Sequence, residues 1–352
     1  MPREGGTTPI RPVRTAGTAR GQQRRSYHGR CPEATPASAL SGLDRDVPVR
    51  IDGDALGPAS ERIPCPRGRA NGRRQEYRVD YRKKFLVEPG SKVHLGRLDP
   101  AYTGGHSSED EARAAIDKDV ERLCELQYRL YAEHARSLLI VLQAMDAGGK
   151  DGTIRHVFRA FNPQGASVHA FKEPTPLEAA HDFLWRAHNV APPHGQVAIF
   201  NRSHYEDVLV VRVHELVPKH VWSKRYDRIV EFEKNLSQAG THVIKFFLHV
   251  SKEEQLRRLE ARLDDPARHW KIDELDFAER ERWHEYEKAY EDALERTSTE
   301  RAPWYVIPAD HKWFRNLAVA HIAVQTLSEL KMQFPKPKVD VAEIRQKYHL
   351  ES

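Results

Sequence analysis

A lysine that follows a pair of glycines is the first feature of this sequence that could do chemistry. Residues 143–153 read QAMDAGGKDGT. Glycines let backbone N–H groups point into a loop, a following helix presents its positive end, and a lysine adds charge for phosphate oxygens. A glycine turn that only joins a strand to a helix is the alternative interpretation. The pattern favours a phosphate site formed by Gly148, Gly149, Lys150, Gly152 and Thr153.

This loop departs from the GxxxxGK[ST] pattern at two positions. Ala144 replaces the first glycine, and Asp151 stands where the magnesium-binding hydroxyl normally lies. A carboxylate beside phosphate is repulsive unless a metal lies between them, so Asp151 caps the helix outward, or Thr153 or Asp146 binds the metal. We favour Asp146 because it lies inside the loop. We expect Mg²⁺ there, with Mn²⁺ as a substitute.

A second polar group follows the apolar run 197–200. Ligands bind at the carboxyl ends of parallel strands, where a carboxylate is expected, but this chain has Asn201. Its amide can orient a magnesium water, and Arg202 can neutralise a second phosphate. An i,i+4 pair of Arg202 with Glu206 on a solvated helix is the alternative. We predict Arg202 as catalytic, Asn201 as a metal ligand, and nucleotide contacts at Asn201, Tyr205 and Glu206.

A third group of cations lies further along the chain. Arg258 and Arg262 are one turn apart on a predicted helix, and Asp265-Pro266 breaks that helix before Arg268 and Lys271. In kinases such a segment closes over the donor phosphates and excludes water. We predict a helical lid over about 258–283, with a solvated helix end as the alternative.

Short apolar runs alternate with longer amphipathic segments. The runs do not alternate with polar residues, so they indicate buried strands of a parallel sheet at 138–142, 197–200, 243–250 and 304–307, with a weaker strand at 167–171. Helices are expected at about 108–134, 152–161, 176–188, 205–215, 223–238, 252–263, 276–296 and 311–331. This order predicts an α/β fold with helices on both faces of the sheet.

Composition divides the 352 residues unevenly. Residues 1–75 are rich in Gly, Pro, Arg, Ser and Thr and predict a disordered low-complexity tail. An ordered lead-in is expected at 76–107, the catalytic core at 108–335 and a C-terminal tail at 336–352. The net charge of +5 comes from residues 1–42, which hold seven arginines and two glutamates. The remainder is balanced, so bulk charge argues against a nucleic-acid partner.

Cysteine usage and hydropathy bear on the compartment. Cys31, Cys65 and Cys124 are widely spaced, which supports neither a disulfide framework nor a zinc site. The longest apolar run is far shorter than the roughly 18 residues that a membrane span needs. We therefore expect a cytoplasmic protein with no membrane association.

Five segments together resemble a known family: QAMDAGGKDGTIRHVF, NPQGASVHAFKEPT, IFNRSHYEDVLVVRVH, KFFLHVSKEEQLRRLEARLDDPARHWK and TSTERAPWYVIPADHKWFRNLAV. The chain is similar, over about 77–333, to the polyphosphate kinase 2 family, class III, the polyphosphate-driven AMP and ADP phosphotransferases. The resemblance implies a P-loop kinase-like three-layer α/β/α sandwich with a lid. It also implies inorganic polyphosphate, adenine or guanine nucleotides, magnesium and a homo-oligomer, either a dimer or a tetramer.

Carried over position by position, the resemblance assigns loop residues to Asp146, Gly149 and Lys150. It assigns the second motif to Asn201 and Arg202, with Glu206 downstream, and the lid arginines to Arg258, Arg262 and Arg268. Ala144 and Asp151 match the variant loop of that class, and Asn201 stands where other classes carry Asp. Further phosphate contacts are expected at Lys172, Arg155 and Arg159. For the last two, a solvated or intra-helix pair is an equal alternative.

The expected reaction is direct in-line transfer of a phosphoryl group between polyphosphate and the terminal phosphate of AMP or ADP. Such chemistry needs mainly alignment and charge neutralisation from the protein. Two alternatives remain open, an ATP-dependent nucleoside monophosphate kinase and a non-catalytic polyanion-binding protein.

Overall fold

The computed structural model describes residues 79–348, so the predicted tail at 1–75 lies outside the described residues. In this described part of the chain, six strands form one sheet: β1 Leu86–Val87, β2 Ser137–Gln143, β3 Ala166–Ala170, β4 Val197–Asn201, β5 Thr241–His249 and β6 Trp304–Pro308. Their order across the sheet is β1-β6-β5-β2-β4-β3.

All five predicted strands are present, and they pair with one another in parallel. The predicted parallel sheet is confirmed, and one edge carries an additional strand that was not predicted. There β1 pairs antiparallel with β6, with Val87 opposite Trp304. A strand of two residues has no periodicity to detect, so it left no signal in the sequence.

Between residues 79 and 348, thirteen α-helices accompany the sheet: α1 Tyr81–Phe85, α2 Glu109–Glu133, α3 Lys150–Val157, α4 Pro176–Ala179, α5 Trp185–Asn189, α6 Val210–Val213, α7 Lys219–Trp222, α8 Arg225–Gln238, α9 Lys252–Leu263, α10 Glu274–Ala278, α11 Trp283–Thr297, α12 Lys312–Glu329 and α13 Val341–Lys347. On one side of the sheet α12 packs against α2 and α3, and on the other α8 packs against β5 and α11. The predicted three-layer sandwich is therefore confirmed.

Helix boundaries agree best where a cap is present. The side chain of Ser108 accepts from the backbone N–H of Glu111 at the start of α2, and Ser251 caps α9 in the same way through Glu254. The single helix predicted at 176–188 is wrong. The side chain of Asp182 accepts from the N–H of Leu184 and interrupts it, because short polar side chains compete for backbone donors.

Two further predicted helices are interrupted. The segment predicted at 205–215 divides into a 3₁₀ turn, His204–Asp207, and α6. The segment predicted at 276–296 comprises α10, a 3₁₀ turn at Glu279–Arg282 and α11. In the predicted lid, α9 is followed by another 3₁₀ turn, Pro266–Lys271. Short turns of this kind re-aim side chains at the edge of the sheet.

Because β2, β4, β5 and β6 run parallel, their carboxyl ends meet at one edge of the sheet. The N–H of Arg202, after β4, donates to Leu142 O in β2 at 3.1 Å. The N–H of Ala309, after β6, donates to His249 O in β5 at 2.8 Å. The polar segments that the sequence singled out are therefore neighbours in space.

In the part of the chain that the structure describes, no helix combines the length and the apolar character needed to cross a membrane.

Candidate active site

The glycine loop connects β2 to α3 through two residues with left-handed backbone. Ala147 has φ 56° and Gly149 has φ 105°. Gly149 is the N-cap of α3 and has no side chain to cap it, so the first amides of the helix face outward without a side-chain acceptor. The positive end of a helix with open amides favours an anion, as the sequence predicted.

Lys150 begins α3 and folds back over this loop. Its Nζ donates to Ala144 O at 3.0 Å and lies 3.5 Å from Met145 O. Within residues 79–348, no carboxylate oxygen lies within 4.0 Å of that nitrogen. Burial and the charge of Arg202 lower the pKa of Lys150, although Asp146 acts in the opposite direction. A phosphate at the loop would supply the missing close counter-charge.

Arg202 pairs with Asp146 across the cleft. Its Nη2 lies 2.5 Å from Asp146 Oδ1, and the backbone of Arg202 has φ 58°, which is uncommon for arginine. Burial opposes ionisation, but the charges of Asp146 and Glu206 raise the pKa of Arg202. The alternative i,i+4 pair with Glu206 does not form, because residues 204–207 are a 3₁₀ turn. The structure thus brings two predicted catalytic residues together.

Asp151 links the loop helix to β4 and to the lid. Asn201 Nδ2 donates to Asp151 Oδ1 at 2.8 Å, and Lys271 Nζ lies 3.4 Å from Asp151 Oδ2. Burial alone would raise the pKa of Asp151, yet the Asn201 hydrogen bond and the Lys271 charge hold it below its ordinary value. This residue, which replaces the usual hydroxyl of the motif, therefore contacts both β4 and the predicted lid.

The predicted nucleotide contact at Tyr205 is wrong. Tyr205 is fully buried, and its hydroxyl lies 2.8 Å from Glu233 Oε1 and 2.9 Å from Thr297 Oγ1. Ser203 caps the 3₁₀ turn and directs Tyr205 into the core. Glu206, the next residue, is partly exposed, and its predicted nucleotide contact stays a prediction. Burial raises the pKa of Glu206, while the charges of Arg202 and Lys150 act in the opposite direction.

Thr153 is also misassigned as a phosphate ligand. Its side chain is fully buried, and its hydroxyl donates to Gly149 O at 3.1 Å. Gly148 and Gly152 do line the cleft. A Cβ at Gly148 would lie 2.8 Å from Met145 O, so the turn has no room for a side chain.

The three predicted lid arginines all line the cleft, but they differ in burial and in their partners. Arg258 is almost fully buried and donates to Glu254, to Ala147 O at 3.1 Å and to Asp310 O at 3.0 Å. It joins α9, the loop and the segment after β6. Arg262 pairs with Asp276 at 3.0 Å, while the more exposed Arg268 pairs with Asp265 at 2.8 Å.

Of the further phosphate contacts, Lys172 and Arg155 line the cleft. Arg159 does not, because it turns away to Asp117, with Nη2 and Oδ1 3.0 Å apart. For Arg159 the alternative interpretation, a solvated position outside the phosphate site, therefore holds.

These elements enclose a cleft of about 1350 Å³ that we call the basic cleft. Six carboxylates line it, against eleven cations: Lys150, Arg155, Lys172, Arg202, Arg257, Arg258, Arg262, Arg268, Lys271, Lys312 and Arg315. Charge that is balanced over residues 43–352 is thus strongly unbalanced in this cleft. Three of these cations were not predicted from the sequence: Arg257, Lys312 and Arg315. The signal for the last two was available, since they lie in the first turn of the helix that follows the strand at 304–307.

The residues at the loop suit a magnesium ion that is held mainly by substrate. Asp146 and Asn201 offer oxygen donors, the type that Mg²⁺ prefers, and no group of three His, Cys, Asp or Glu side chains that could hold a metal occurs among the described residues. Magnesium often uses one or two protein carboxylates together with phosphate oxygens. Asp146 would have to share its carboxylate between the ion and Arg202.

Comparison with known proteins places this architecture in a family. Residues 106–335 match the family model of polyphosphate kinase 2 (PPK2). The chain is 53% identical over 260 residues to the AMP/ADP-polyphosphate phosphotransferase of Meiothermus ruber, covering 73% of this chain and 96% of that protein. It is 44% identical over 266 residues to the ADP-polyphosphate phosphotransferase of Rhodopseudomonas palustris, covering 72% and 92%.

A solved structure agrees with these sequence relatives. The crystal structure of polyphosphate kinase 2 from Arthrobacter aurescens TC1 superposes with a TM-score of 0.75 and 42% identity, covering 78% of this chain and 99% of that one. This chain belongs to the polyphosphate kinase 2 family.

Proposed function

We propose that this protein transfers a phosphoryl group between inorganic polyphosphate and AMP or ADP. The observation that carries the proposal is the basic cleft, in which eleven cations face six carboxylates around a glycine loop. A polyanion of roughly one negative charge per phosphate needs such an extended cationic surface, by analogy with nucleic-acid backbones. The names of the relatives from Meiothermus ruber and Rhodopseudomonas palustris support the same substrates.

In the proposed reaction, a terminal phosphate oxygen of the nucleotide attacks the terminal phosphorus of polyphosphate. A new P–O bond forms as the bridging P–O bond to the rest of the chain breaks, and the shortened chain leaves with the bonding electron pair. The transfer is direct and in line, without a covalent enzyme intermediate. Lys150 and the loop amides hold the donor phosphates, and Arg202 covers charge on the transferring group.

Asp146 has two tasks in this proposal. Its pairing with Arg202 at 2.5 Å fixes the guanidinium over the loop, and its carboxylate faces the cleft with Asn201 nearby on β4. Asp146 and Asn201 would hold Mg²⁺, or Mn²⁺ as a substitute. When bound, the ion would neutralise part of the phosphate charge.

The lid has a separate role. Arg262, Arg268 and Lys271 lie on the segment after β5 and line the same cleft as the loop. We propose that this segment excludes water from the transferring group, because water would otherwise compete with the nucleotide oxygen as the attacking group.

The deciding experiment supplies AMP, and then ADP, with Mg²⁺ and polyphosphate as the only donor, and follows the nucleotides by chromatography. We expect ADP and ATP to form from AMP and ATP to form from ADP. Guanine nucleotides in parallel reactions measure base preference. Turnover with ATP alone as donor would identify a nucleoside monophosphate kinase, and polyphosphate binding without turnover would identify a polyanion-binding protein.

We further propose a cytoplasmic homo-oligomer, a dimer or a tetramer, as the resemblance implies. Light scattering on purified full-length chain measures the oligomer, and fractionation of cells measures the compartment. A monomer, or a membrane-associated protein, would contradict this part of the proposal.

A further inference from the structure

Arg315 is a buried cation for which the described chain provides no counter-charge. It lies in the first turn of α12 and is 2% exposed. Within residues 79–348, no carboxylate oxygen lies within 4.0 Å of its guanidinium. Its acceptor is the side-chain oxygen of the neighbouring Asn316, 2.8 Å from Nη2 and 3.2 Å from Nε.

The guanidinium of Arg315 lies against the glycine loop. A Cβ built on Gly149 would collide with Nη1, and one on Gly152 would lie 3.1 Å from Nη2. Both glycines line the basic cleft, as do Arg315 and Asn316. The absence of a side chain at Gly149 and at Gly152 therefore opens a direct path between this guanidinium and the cleft.

The other buried arginines near this edge have partners within the chain. Arg186 is 8% exposed and lies 3.5 Å from Asp207 Oδ2, and Arg258 pairs with Glu254 at 2.7 Å. Burial and the nearby charge of Arg258 lower the pKa of Arg315 to about 9, so its charged form is disfavoured in the ligand-free site. Removing one partner of a buried charge is strongly unfavourable in general, which makes an unpartnered arginine unusual.

The neighbours of Arg315 indicate which ligand would supply its missing counter-charge. Lys312, one turn earlier on α12, and Arg258 on α9 also line the cleft on this side of the loop. Arg202 and Lys172, by contrast, follow β4 and β3 at the opposite end of the sheet order. A ligand on the α12 side therefore meets a succession of cations, which suits a chain of phosphates better than a single nucleotide phosphate.

We propose that Arg315 binds the polyphosphate donor, with Nη1 and Nη2 donating to its non-bridging oxygens beside Gly149. This inference rests on the proposed function and adds a donor-binding residue to it. The phosphate chain, rather than a side chain of the protein, is then the counter-charge of this arginine. The planar guanidinium can donate two parallel hydrogen bonds to phosphate, which lysine cannot do.

The test compares Arg315→Met with wild type in two assays. In magnesium-free buffer, we expect inorganic tripolyphosphate to raise the melting temperature of the wild-type chain and that shift to fall by at least half in the variant. Without ligand the variant melts about 2–4 °C higher, because an uncompensated buried charge is gone. In turnover assays, the KM for polyphosphate rises about tenfold while the KM for AMP changes less than about twofold.

Two further variants keep the result interpretable. Arg315→Lys preserves the charge but not the paired donors, and we expect an intermediate KM for polyphosphate. Arg186→Met removes an arginine of similar burial that does have a carboxylate partner, so it should lower the melting temperature without ligand.

Several results would overturn the inference. Arg315→Met could melt below wild type and keep the full tripolyphosphate shift, or the KM for AMP could rise instead of the KM for polyphosphate. Failure of the proposed function is distinguishable from these outcomes. In that case wild type shows no transfer at all, whereas the melting-temperature shift with tripolyphosphate still tests Arg315.

Discussion

Two groups of buried charge lie on the same sheet and are built in opposite ways. In the core, Lys245 of β5 is fully buried, and its Nζ contacts Glu233 Oε2 at 2.6 Å, Thr297 O at 2.8 Å and the Tyr205 hydroxyl at 2.9 Å. At the carboxyl edge, the Nζ of Lys150 is held by backbone carbonyl groups. One lysine is satisfied by the chain, and the other has no carboxylate within 4.0 Å among the described residues.

The difference separates structural charge from charge reserved for a ligand. A buried ion pair that is fully hydrogen-bonded offsets the loss of its hydration within the protein. A buried cation without a partner retains that penalty until an anion arrives, so binding and stability become linked. Burial lowers the pKa of both lysines, so only the location of the counter-charge distinguishes them.

The largest expected effect is on Lys150. In Lys150→Met, turnover with polyphosphate and AMP should fall about 10⁴-fold, equivalent to ~5.4 kcal/mol, because the charge on the transferring phosphates is no longer neutralised. Chemical denaturation should give a free energy of unfolding equal to or above that of wild type. Turnover above a tenth of the wild-type rate would contradict the assignment of Lys150.

Lys245→Ala should have the opposite profile. Removing one partner leaves Glu233 buried and uncompensated, which should lower the free energy of unfolding by about 3–5 kcal/mol. The double variant Lys245→Met, Glu233→Gln should lose less, since no buried charge remains. Chemical denaturation measures both, and near-native stability of Lys245→Ala would remove the contrast between the two lysines.

The pH dependence of that loss sharpens the same contrast. Burial alone would raise the pKa of Glu233, but Lys245 and His204 hold this pKa below its ordinary value of 4.5. A carboxylate with a lowered pKa stabilises the fold above its ordinary pKa, and that contribution disappears as the pH falls through the lowered value. In Lys245→Ala the opposing charge is gone and burial raises the pKa of Glu233, so this carboxyl takes up a proton as the pH falls towards its ordinary pKa. The stability difference between wild type and Lys245→Ala should therefore be largest at pH 8 and shrink as the pH falls to 5.

Arg155 and Arg159 are a matched pair on and beyond α3. Arg155 is exposed and lines the cleft, whereas Arg159 pairs with Asp117 outside it. Arg155→Gln should raise the KM for polyphosphate about fivefold at low salt and less at high salt, because one screened charge is lost. Arg159→Gln serves as the control and should leave the KM unchanged. Equal effects of the two variants would mean that the long-range electrostatic field of the protein, rather than contacts in the cleft, attracts polyphosphate.

The smallest expected effect concerns the contact between Asp151 and Lys271. Both groups are partly exposed, so solvent screens the pair and its coupling should be only about 0.5 kcal/mol. Asp151→Asn and Lys271→Gln should each lower kcat/KM about twofold, and the double variant should do no worse than either one. Fully additive losses in this double-mutant cycle would show that Asp151 does not hold the lid.

Much of the edge of the sheet could be predicted from the sequence. The apolar runs predicted every parallel strand, because strands buried on both faces need continuous apolar residues. Their ends brought Lys150, Asp146 and Arg202 to one place, where the structure has them. Local signals failed at Tyr205 and Thr153, since a 3₁₀ turn and one turn of helix decide which way those side chains point.

Sequence by itself determined the layers of the fold and the polar segments that meet at one edge of the sheet, because hydrophobic periodicity and turn chemistry are local properties. Only the tertiary structure decided which charges find partners. Arg202 meets Asp146 across 56 positions and Lys245 meets Glu233 in the core, yet Arg315 meets no carboxylate among residues 79–348. Electrostatic pairing depends on distances of a few ångströms between segments far apart in the chain, and the packing of the helices on the sheet sets those distances.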